Sequence, residues 1–144
     1  MDPNPVMREV TLTLPMAPDM EVAASMTATA MAEFMRMRPD QVDEVRLAVV
    51  EACINAFEHS HADDNQVRIT FAVIGDKEAE KLEIRVQDSG VGFSRVGLAV
   101  PNISEKLKAS RKRGWGLSII EGLMDEVEIA SGADGTTVVM RKKK

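Results

Sequence analysis

Short connections join two pairs of strand-like segments in this 144-residue chain. QVRITFAVI and KLEIRVQD alternate apolar and polar residues and are separated by GDKEAE, while EVEIA and GTTVVMRKK are separated by SGADG. Strands that are joined by turns of this length pair antiparallel. A further strand is predicted over REVTLTLP, with Val10, Leu12 and Leu14 on one face. The pattern therefore predicts a mixed, mostly antiparallel sheet.

Two long segments with helical periodicity follow the first strand. The first is predicted to begin after Asp19 as N-cap and to run to about Arg38. Its predicted apolar face comprises Met20, Ala24, Thr27, Met31 and Phe34. The second begins at Pro39, with Asp40 as a cap, and its predicted stripe comprises Val42, Val45, Val49, Ala52 and Ala56. LSIIEGLMD predicts a third helix, so the expected fold is α+β, a two-layer sandwich with helices on one face of the sheet.

Length and composition favour one intracellular domain. We expect residues 1–144 to form a single domain, with residues 1–7 disordered. Cys53 is the single cysteine, which excludes an internal disulfide and favours a reducing compartment. The N-terminus has no signal-peptide pattern, and no apolar run approaches the roughly 20 residues that cross a bilayer. We therefore expect a cytoplasmic protein without membrane contact.

The charge distribution is acidic overall, with two cationic islands. The net charge is −5 and the pI is about 5.1, which argues against direct nucleic-acid binding. The first island, KLKASRKR, precedes a glycine motif, and this position favours a phosphate-facing role. The second, RKKK at residues 141–144, is interpreted as a solvated chain end.

Glu51 and Asn55 form the first candidate functional pair. They are the only polar residues between Leu47 and Phe57. Because they lie four residues apart, they share one helical face, away from the valine stripe. A carboxylate in apolar surroundings needs a partner. Mg²⁺ with phosphate oxygens, a water to be deprotonated, a neighbouring arginine or backbone donors would each supply one, and the pair alone does not decide between them.

Two glycine motifs follow. In QDSGVGF, Asp88 ends a strand and precedes Gly90 and Gly92, which allow a sharp turn and the close approach of a planar ligand. The Asp88 carboxylate is suited to accept a hydrogen bond from an exocyclic amine such as that of adenine. In RGWGLSII, Gly114 and Gly116 precede a helix, where free N–H groups favour phosphate. Either motif alone is also typical of an ordinary turn.

The order of these motifs along the chain resembles that of the Bergerat ATPase superfamily. The order is a helical Glu-x-x-x-Asn, a strand-end Asp-x-Gly-x-Gly, a long loop and a Gly-x-Gly before a helix. This superfamily includes gyrase, the heat-shock 90 chaperones, the histidine kinases and the mismatch-repair ATPases. Over nearly the whole chain, the sequence is similar to the anti-sigma factor serine/threonine-protein kinases of that superfamily. The segments that carry this similarity are VTLTLPMAPDMEVAASMTATAMAEFM, DEVRLAVVEACINAFEHS and GWGLSIIEGLMDEVEIASGADGTTVVMRK.

The resemblance implies a role for each matching position. Glu51 would be the general base, Asn55 would hold Mg²⁺, and Asp88 would bind the adenine amine of ATP. Gly90 and Gly92 would shape the adenine pocket, and residues 94–113 would form the ATP lid. The phosphates would be met by Gly114, Gly116, Lys112 and Arg113, although the choice among these two cations and Arg111 stays open.

The resemblance also implies partners. The chain would phosphorylate a STAS-domain anti-sigma antagonist, sequester a sigma factor and form a homodimer. Two alternatives remain: an ATP-binding regulatory module without phosphotransfer, and a switch kinase that acts on a STAS-containing scaffold.

Trp115 departs from the small or aliphatic residue expected between the two glycines. His59 and His61, with Asp63 and Asp64, are less suited to a metal site, because alternate helical positions do not share a face.

Overall fold

The structure, a computed structural model, describes residues 5–59, 66–88, 118–132 and 135–144. Its elements follow the order β1 (Val6–Pro15), α1 (Met20–Phe34), α2 (Pro39–His59), β2 (Gln66–Ile74), β3 (Lys81–Asp88), β4 (Glu126–Gly132) and β5 (Gly135–Lys143). Residues 118–123 are helical as well. β1 includes Val6 and Met7; Val6 lies opposite Ile74, and the register shifts between Val6 and Arg8.

The five strands form one sheet in the order β1-β2-β3-β5-β4. All four pairings among the described strands are antiparallel. Ile69 lies opposite Val86, and Phe71 lies opposite Ile84, so each pair lies on one face. That face is apolar and buried, because α1 and α2 pack on it. The α+β two-layer architecture predicted from the sequence is therefore confirmed.

The core-facing side of α1 differs from the predicted stripe. Its buried residues are Ala24, Ser25, Ala28 and Ala32. Phe34, a member of the predicted apolar face, is 59% exposed. The buried side chains are small, α1 contacts α2, and the Ser25 hydroxyl is satisfied because it donates to the Val22 carbonyl at 2.8 Å. Alanines surround this helix on several sides, so periodicity alone does not select the buried face.

The helix α2 follows its predicted pattern closely. Val42, Val45, Val49 and Ala52 are buried. The side chain of Gln41, rather than that of Asp40, closes the start of the helix, because its Oε1 accepts from the Arg38 N–H at 3.0 Å.

The open face of the sheet carries charge. Arg141 donates to Glu83, Glu126 and Glu128 at 2.9–3.2 Å. Its neighbour Lys142 is buried on the helix side. The interpretation of residues 141–144 as a solvated end is therefore wrong for these two residues, because β5 includes them. Among the described residues, no helix combines the length and apolar character needed to span a membrane.

Candidate functional site

Glu51 and Asn55 lie in the C-terminal half of α2, on a partly buried face. Their spacing of four residues turns the helix by about 400°, so both side chains leave it in nearly the same direction. The residues beside them toward the core, Ala52 and Cys53, are buried. Both residues are themselves partly buried, so the pair lies at the edge of the core.

The side-chain amide of Asn55 has an unused hydrogen-bonding group. Its Nδ2 atom is buried and has no hydrogen-bond partner among the described residues. A buried polar group left unpaired costs about 1–3 kcal/mol, so folding alone does not favour asparagine here. Because the two amide atoms are exchanged by a rotation about the last side-chain bond, the same group offers an oxygen to a cation or a donor to a phosphate.

The donor set at this position suits Mg²⁺. Mg²⁺ prefers oxygen ligands and is commonly held by one or two protein oxygens together with substrate phosphates and water. The Asn55 amide oxygen, with the Glu51 carboxylate one turn away, provides hard oxygen donors of this kind. The Asn55 amide therefore suits a Mg²⁺ ligand, and the absence of a partner for its Nδ2 atom among the described residues fits a ligand supplied from outside the chain.

Asp88 forms the second part of the site. It is the last residue of β3 and is buried, with 7% of its surface exposed. Its Oδ1 atom accepts from the backbone N–H of Thr136 at 3.4 Å. Thr136 follows Gly135, whose φ of 120° disfavours any residue with a side chain. The start of β5 therefore lies against the carboxylate that the sequence assigns to adenine.

Thr136 was not among the predicted site residues. The segment GTTV contributed to the family resemblance, but the sequence does not show that its backbone lies against Asp88. This contact depends on the pairing of β5 with β3, which brings Thr137 opposite Gln87. Only the sheet order therefore identifies Thr136 as a neighbour of the site.

The two parts of the site lie on elements that pack together. α2 packs on β2 and β3, and Glu44 in its first half is tied to Lys142, which lies opposite Leu82. Asn55 lies 11 residues beyond Glu44, about 16 Å of helix. Asp88 lies six residues beyond Leu82, about 20 Å of strand. Asn55 and Asp88 therefore lie at comparable distances along α2 and β3 from the contact between Glu44 and Lys142.

The remaining predicted positions lie outside the described residues. These are Gly90, Gly92, Lys112, Arg113, Gly114 and Gly116, together with the lid at 94–113, Arg111 and Trp115. His61, Asp63 and Asp64 also fall outside them, as does the side chain of His59. Among the residues that are described, no group of three His, Cys, Asp or Glu side chains is arranged to hold a metal ion.

Comparison with known proteins identifies the family. The model of the histidine kinase-like ATPase domain matches residues 14–142. The anti-sigma F factor of Clostridium acetobutylicum is 30% identical over 124 residues, which cover 85% of each chain. The serine-protein kinase RsbW of Bacillus velezensis is 31% identical over 139 residues, which cover 92% of this chain and 84% of the relative.

Solved structures support the same fold. A crystal structure of the RsbU and RsbW domains of Rv1364c from Mycobacterium tuberculosis matches with a TM-score of 0.68 at 20% identity. The match covers 94% of this chain and 32% of that one. A structure of the SiaB–SiaC complex from Pseudomonas aeruginosa matches with a TM-score of 0.51 at 11% identity, covering 94% and 88%. The chain therefore belongs to the histidine kinase-like ATPase family and, within it, to the anti-sigma factor serine/threonine-protein kinases.

Proposed function

We propose that this chain is a Mg²⁺-dependent kinase that transfers the γ-phosphate of ATP to a serine or threonine of a STAS-domain anti-sigma antagonist. In the same proposal it sequesters a sigma factor while the antagonist is phosphorylated, acts as a homodimer in the cytoplasm and does not bind nucleic acid directly. The observation that carries the catalytic part is the pairing of Glu51 with Asn55 on one face of α2, with the Asn55 Nδ2 atom unpartnered among the residues that the structure describes.

Different residues would bind the adenine, the metal ion and the phosphates of Mg-ATP. Asp88 accepts a hydrogen bond from the adenine amine, and its contact with Thr136 fixes the direction of the carboxylate. Asn55 would hold Mg²⁺, which would supply charge neutralisation at the phosphates. Gly114, Gly116 and a cation of the 111–113 segment would complete the phosphate contacts. Gly90 and Gly92 would shape the adenine pocket.

The reaction follows from these positions. The Glu51 carboxylate accepts the proton of the substrate hydroxyl, and that oxygen forms a bond to the γ-phosphorus. The bond between the γ-phosphorus and the β,γ-bridging oxygen breaks, and ADP leaves with that electron pair. Phosphoryl transfer depends mainly on positioning and on charge stabilisation, so a base, a metal ligand and a cationic segment are sufficient protein groups.

Regulation requires different partner affinities in different nucleotide states. A ligand shifts a partner equilibrium only by its differential affinity for the competing states. ATP and ADP differ at the phosphates, near the face of α2 that carries Glu51. In this proposal the ATP-bound state favours the sigma factor or the unphosphorylated antagonist, and loss of the γ-phosphate changes that preference.

The deciding experiment is phosphotransfer by a Glu51 variant. The protein is incubated with Mg²⁺, γ-labelled ATP and a STAS-domain protein from the same genome. We expect acid-stable label on a serine or threonine of that protein. Glu51→Gln keeps the size of the side chain but removes the base, so transfer should fall by about 10²–10⁴-fold while ATP binding is retained. Glu121→Gln, at an exposed position, is the matched control.

The outcomes separate the alternatives. Full transfer by the Glu51→Gln protein would eliminate the base role. ATP binding by the wild-type protein without transfer to any STAS protein of that genome would favour a regulatory module. Label on a large STAS-containing scaffold, rather than on a small antagonist, would identify the switch-kinase alternative. Failure of the wild-type protein to bind ATP would overturn the proposal as a whole.

A further inference from the structure

Lys142 is a buried cation far from the residues assigned to chemistry. Its side chain is 9% exposed. Its Nζ donates to Glu44 Oε2 at 2.8 Å and to the Leu123 carbonyl at 2.6 Å. These three residues belong to β5, to α2 and to the end of the helical residues 118–123. One ammonium group therefore joins three elements, of which two are separated from it by 98 and 19 positions in the chain.

A second contact strengthens the same junction. The Gln41 side chain donates from Nε2 to the Lys143 carbonyl at 3.2 Å, and its Oε1 closes the start of α2. Gln41 and Glu44 lie three residues apart, so they share one face of the helix. The first two turns of α2 are thus fixed to the last residues of β5 by both a side chain–backbone bond and an ion pair.

The ion pair lies in line with the functional pair. Glu44, Glu51 and Asn55 are separated by seven and four residues, which return the helix to nearly the same angle. A rigid helix transmits a rotation about its axis along its whole length. Any rotation of α2 that the Glu44–Lys142 contact prevents would also turn Glu51 and Asn55, whereas Asp88 and Thr136 lie on the sheet and would stay in place.

We propose that Lys142 is a positioning residue for phosphoryl transfer: by clamping Glu44 to β5 and to the Leu123 carbonyl, it sets the rotation of α2 and thereby the placement of Glu51 and Asn55 relative to the adenine part of the site. This inference rests on the proposed kinase function. The clamp acts through α2 and does not touch the nucleotide.

Stability alone does not explain a buried lysine here. Taking an ammonium group out of water is expensive, and replacing a buried ion pair by apolar residues of similar size is often neutral or stabilising. Lys142 offsets part of that expense through the Leu123 carbonyl, at a helix end that attracts cations. A methionine would fill the same space without the charge. What lysine adds is the direction of its contacts with Glu44 and with the Leu123 carbonyl.

The test compares Lys142→Met with the wild-type protein in two measurements. The first is kcat for transfer to the STAS-domain substrate. The second is the Kd for ADP in the presence of EDTA, which depends on the adenine part of the site. Since a misplacement of about 1 Å can cost about 10²-fold in rate, we expect kcat to fall by about 10–100-fold. The Kd for metal-free ADP should stay within about twofold, because Asp88 and Thr136 are unaffected.

Three further variants make the result specific. Arg141→Met removes several ion pairs from the neighbouring residue on the opposite face of β5, and it should lower stability without changing kcat. Glu44→Gln removes the charge but keeps a weaker hydrogen bond to Lys142, so it should lower kcat by less than Lys142→Met does, and the test does not depend on one variant folding. Lys142→Arg retains the cation and should restore at least part of the rate.

The results distinguish failure of the positioning role of Lys142 from failure of the proposed kinase function. If wild-type protein transfers phosphate, and both Lys142→Met and Glu44→Gln retain the wild-type kcat, the positioning role is wrong and the kinase function stands. If kcat and the Kd for metal-free ADP worsen equally in the variants, Lys142 is only structural. If the wild-type protein neither binds ATP nor transfers phosphate, the kinase proposal itself fails, and the positioning role fails with it.

Discussion

At the scale of single residues, the candidate site contains a side chain that folding alone would not select. The buried Asn55 Nδ2 atom lacks a partner among the described residues, although nearby Ala52 and Cys53 are packed in the core. An unpaired buried polar group is expected where a side chain is retained for a ligand, because function is then favoured at the expense of stability. The Asn55 amide is therefore the most direct mark of function in the described part of the chain.

Asn55→Leu should have opposite effects on stability and on binding. Leucine has nearly the shape of asparagine but no polar group to desolvate, so the ligand-free protein should unfold at the same temperature or at a higher one. Affinity for Mg-ATP should fall at least tenfold, or about 1.4 kcal/mol. Thermal unfolding without nucleotide and calorimetric titration with Mg-ATP measure the two effects. Lower stability together with unchanged affinity would contradict the assignment of Asn55 to the ligand.

At the scale of secondary-structure elements, the open face of the sheet is joined by a charged cluster across β3, β5 and β4. Arg141 contacts Glu83, Glu126 and Glu128, while Arg85 contacts Glu83 at 3.0 Å. Burial by itself would raise the pKa of Glu83, but hydrogen bonds from Arg141 and Arg85 and their positive charges outweigh it. The pKa of Glu83 is therefore held below its ordinary value of 4.5.

The direction of this pKa shift determines a pH dependence. A carboxyl group with a lowered pKa in the folded state stabilises the fold above its unfolded pKa, and the contribution disappears as the pH falls through the folded value. Glu83→Gln should therefore lower the free energy of unfolding at neutral pH, by about 1 kcal/mol or less. The difference from wild type should shrink below the ordinary pKa of 4.5.

Urea unfolding over a pH series measures this difference. Because protonated Glu83 resembles glutamine, the two proteins should converge in acid. Glu121→Gln, at an exposed position, serves as the control and should track the wild-type protein throughout. A difference that stays constant from neutral to acidic pH would show that charge on Glu83 does not contribute.

At the scale of the whole molecule, the single cysteine reports on global opening. Cys53 is fully buried, and burial, with a smaller contribution from the charge of Glu21, raises the pKa of its thiol to about 12. The thiolate is the reactive form, so the folded protein should resist alkylation at neutral pH. Reaction with iodoacetamide should therefore occur mainly through unfolded molecules.

Ligand binding should then protect Cys53. A ligand that binds only the folded state lowers the unfolded population by a factor of 1 + [L]/Kd, which is about 100-fold when Mg-ATP is present at 100 times its Kd. We expect the alkylation rate, measured by mass spectrometry, to fall by that factor when opening is fast relative to labelling. Labelling at the rate of a free cysteine, with or without Mg-ATP, would contradict both the burial and the coupling.

Local periodicity determined much of this molecule from the sequence. The bounds of β2, β3 and β5 coincide with the alternating stretches QVRITFAVI, KLEIRVQD and GTTVVMRKK, because alternation along a strand depends only on neighbouring residues. The valine stripe of α2 and the shared face of Glu51 and Asn55 follow from helical geometry in the same way.

Tertiary structure decided what local pattern cannot. Small residues of α1, and not Phe34, are buried, because several sides of α1 are equally able to pack and only the tertiary packing selects one. Lys142 is a buried clamp rather than a solvated tail residue, because its partner Glu44 lies 98 positions away and is brought near only by the packing of α2 on the sheet. The placement of Thr136 against Asp88 likewise depends on strand pairing between distant segments.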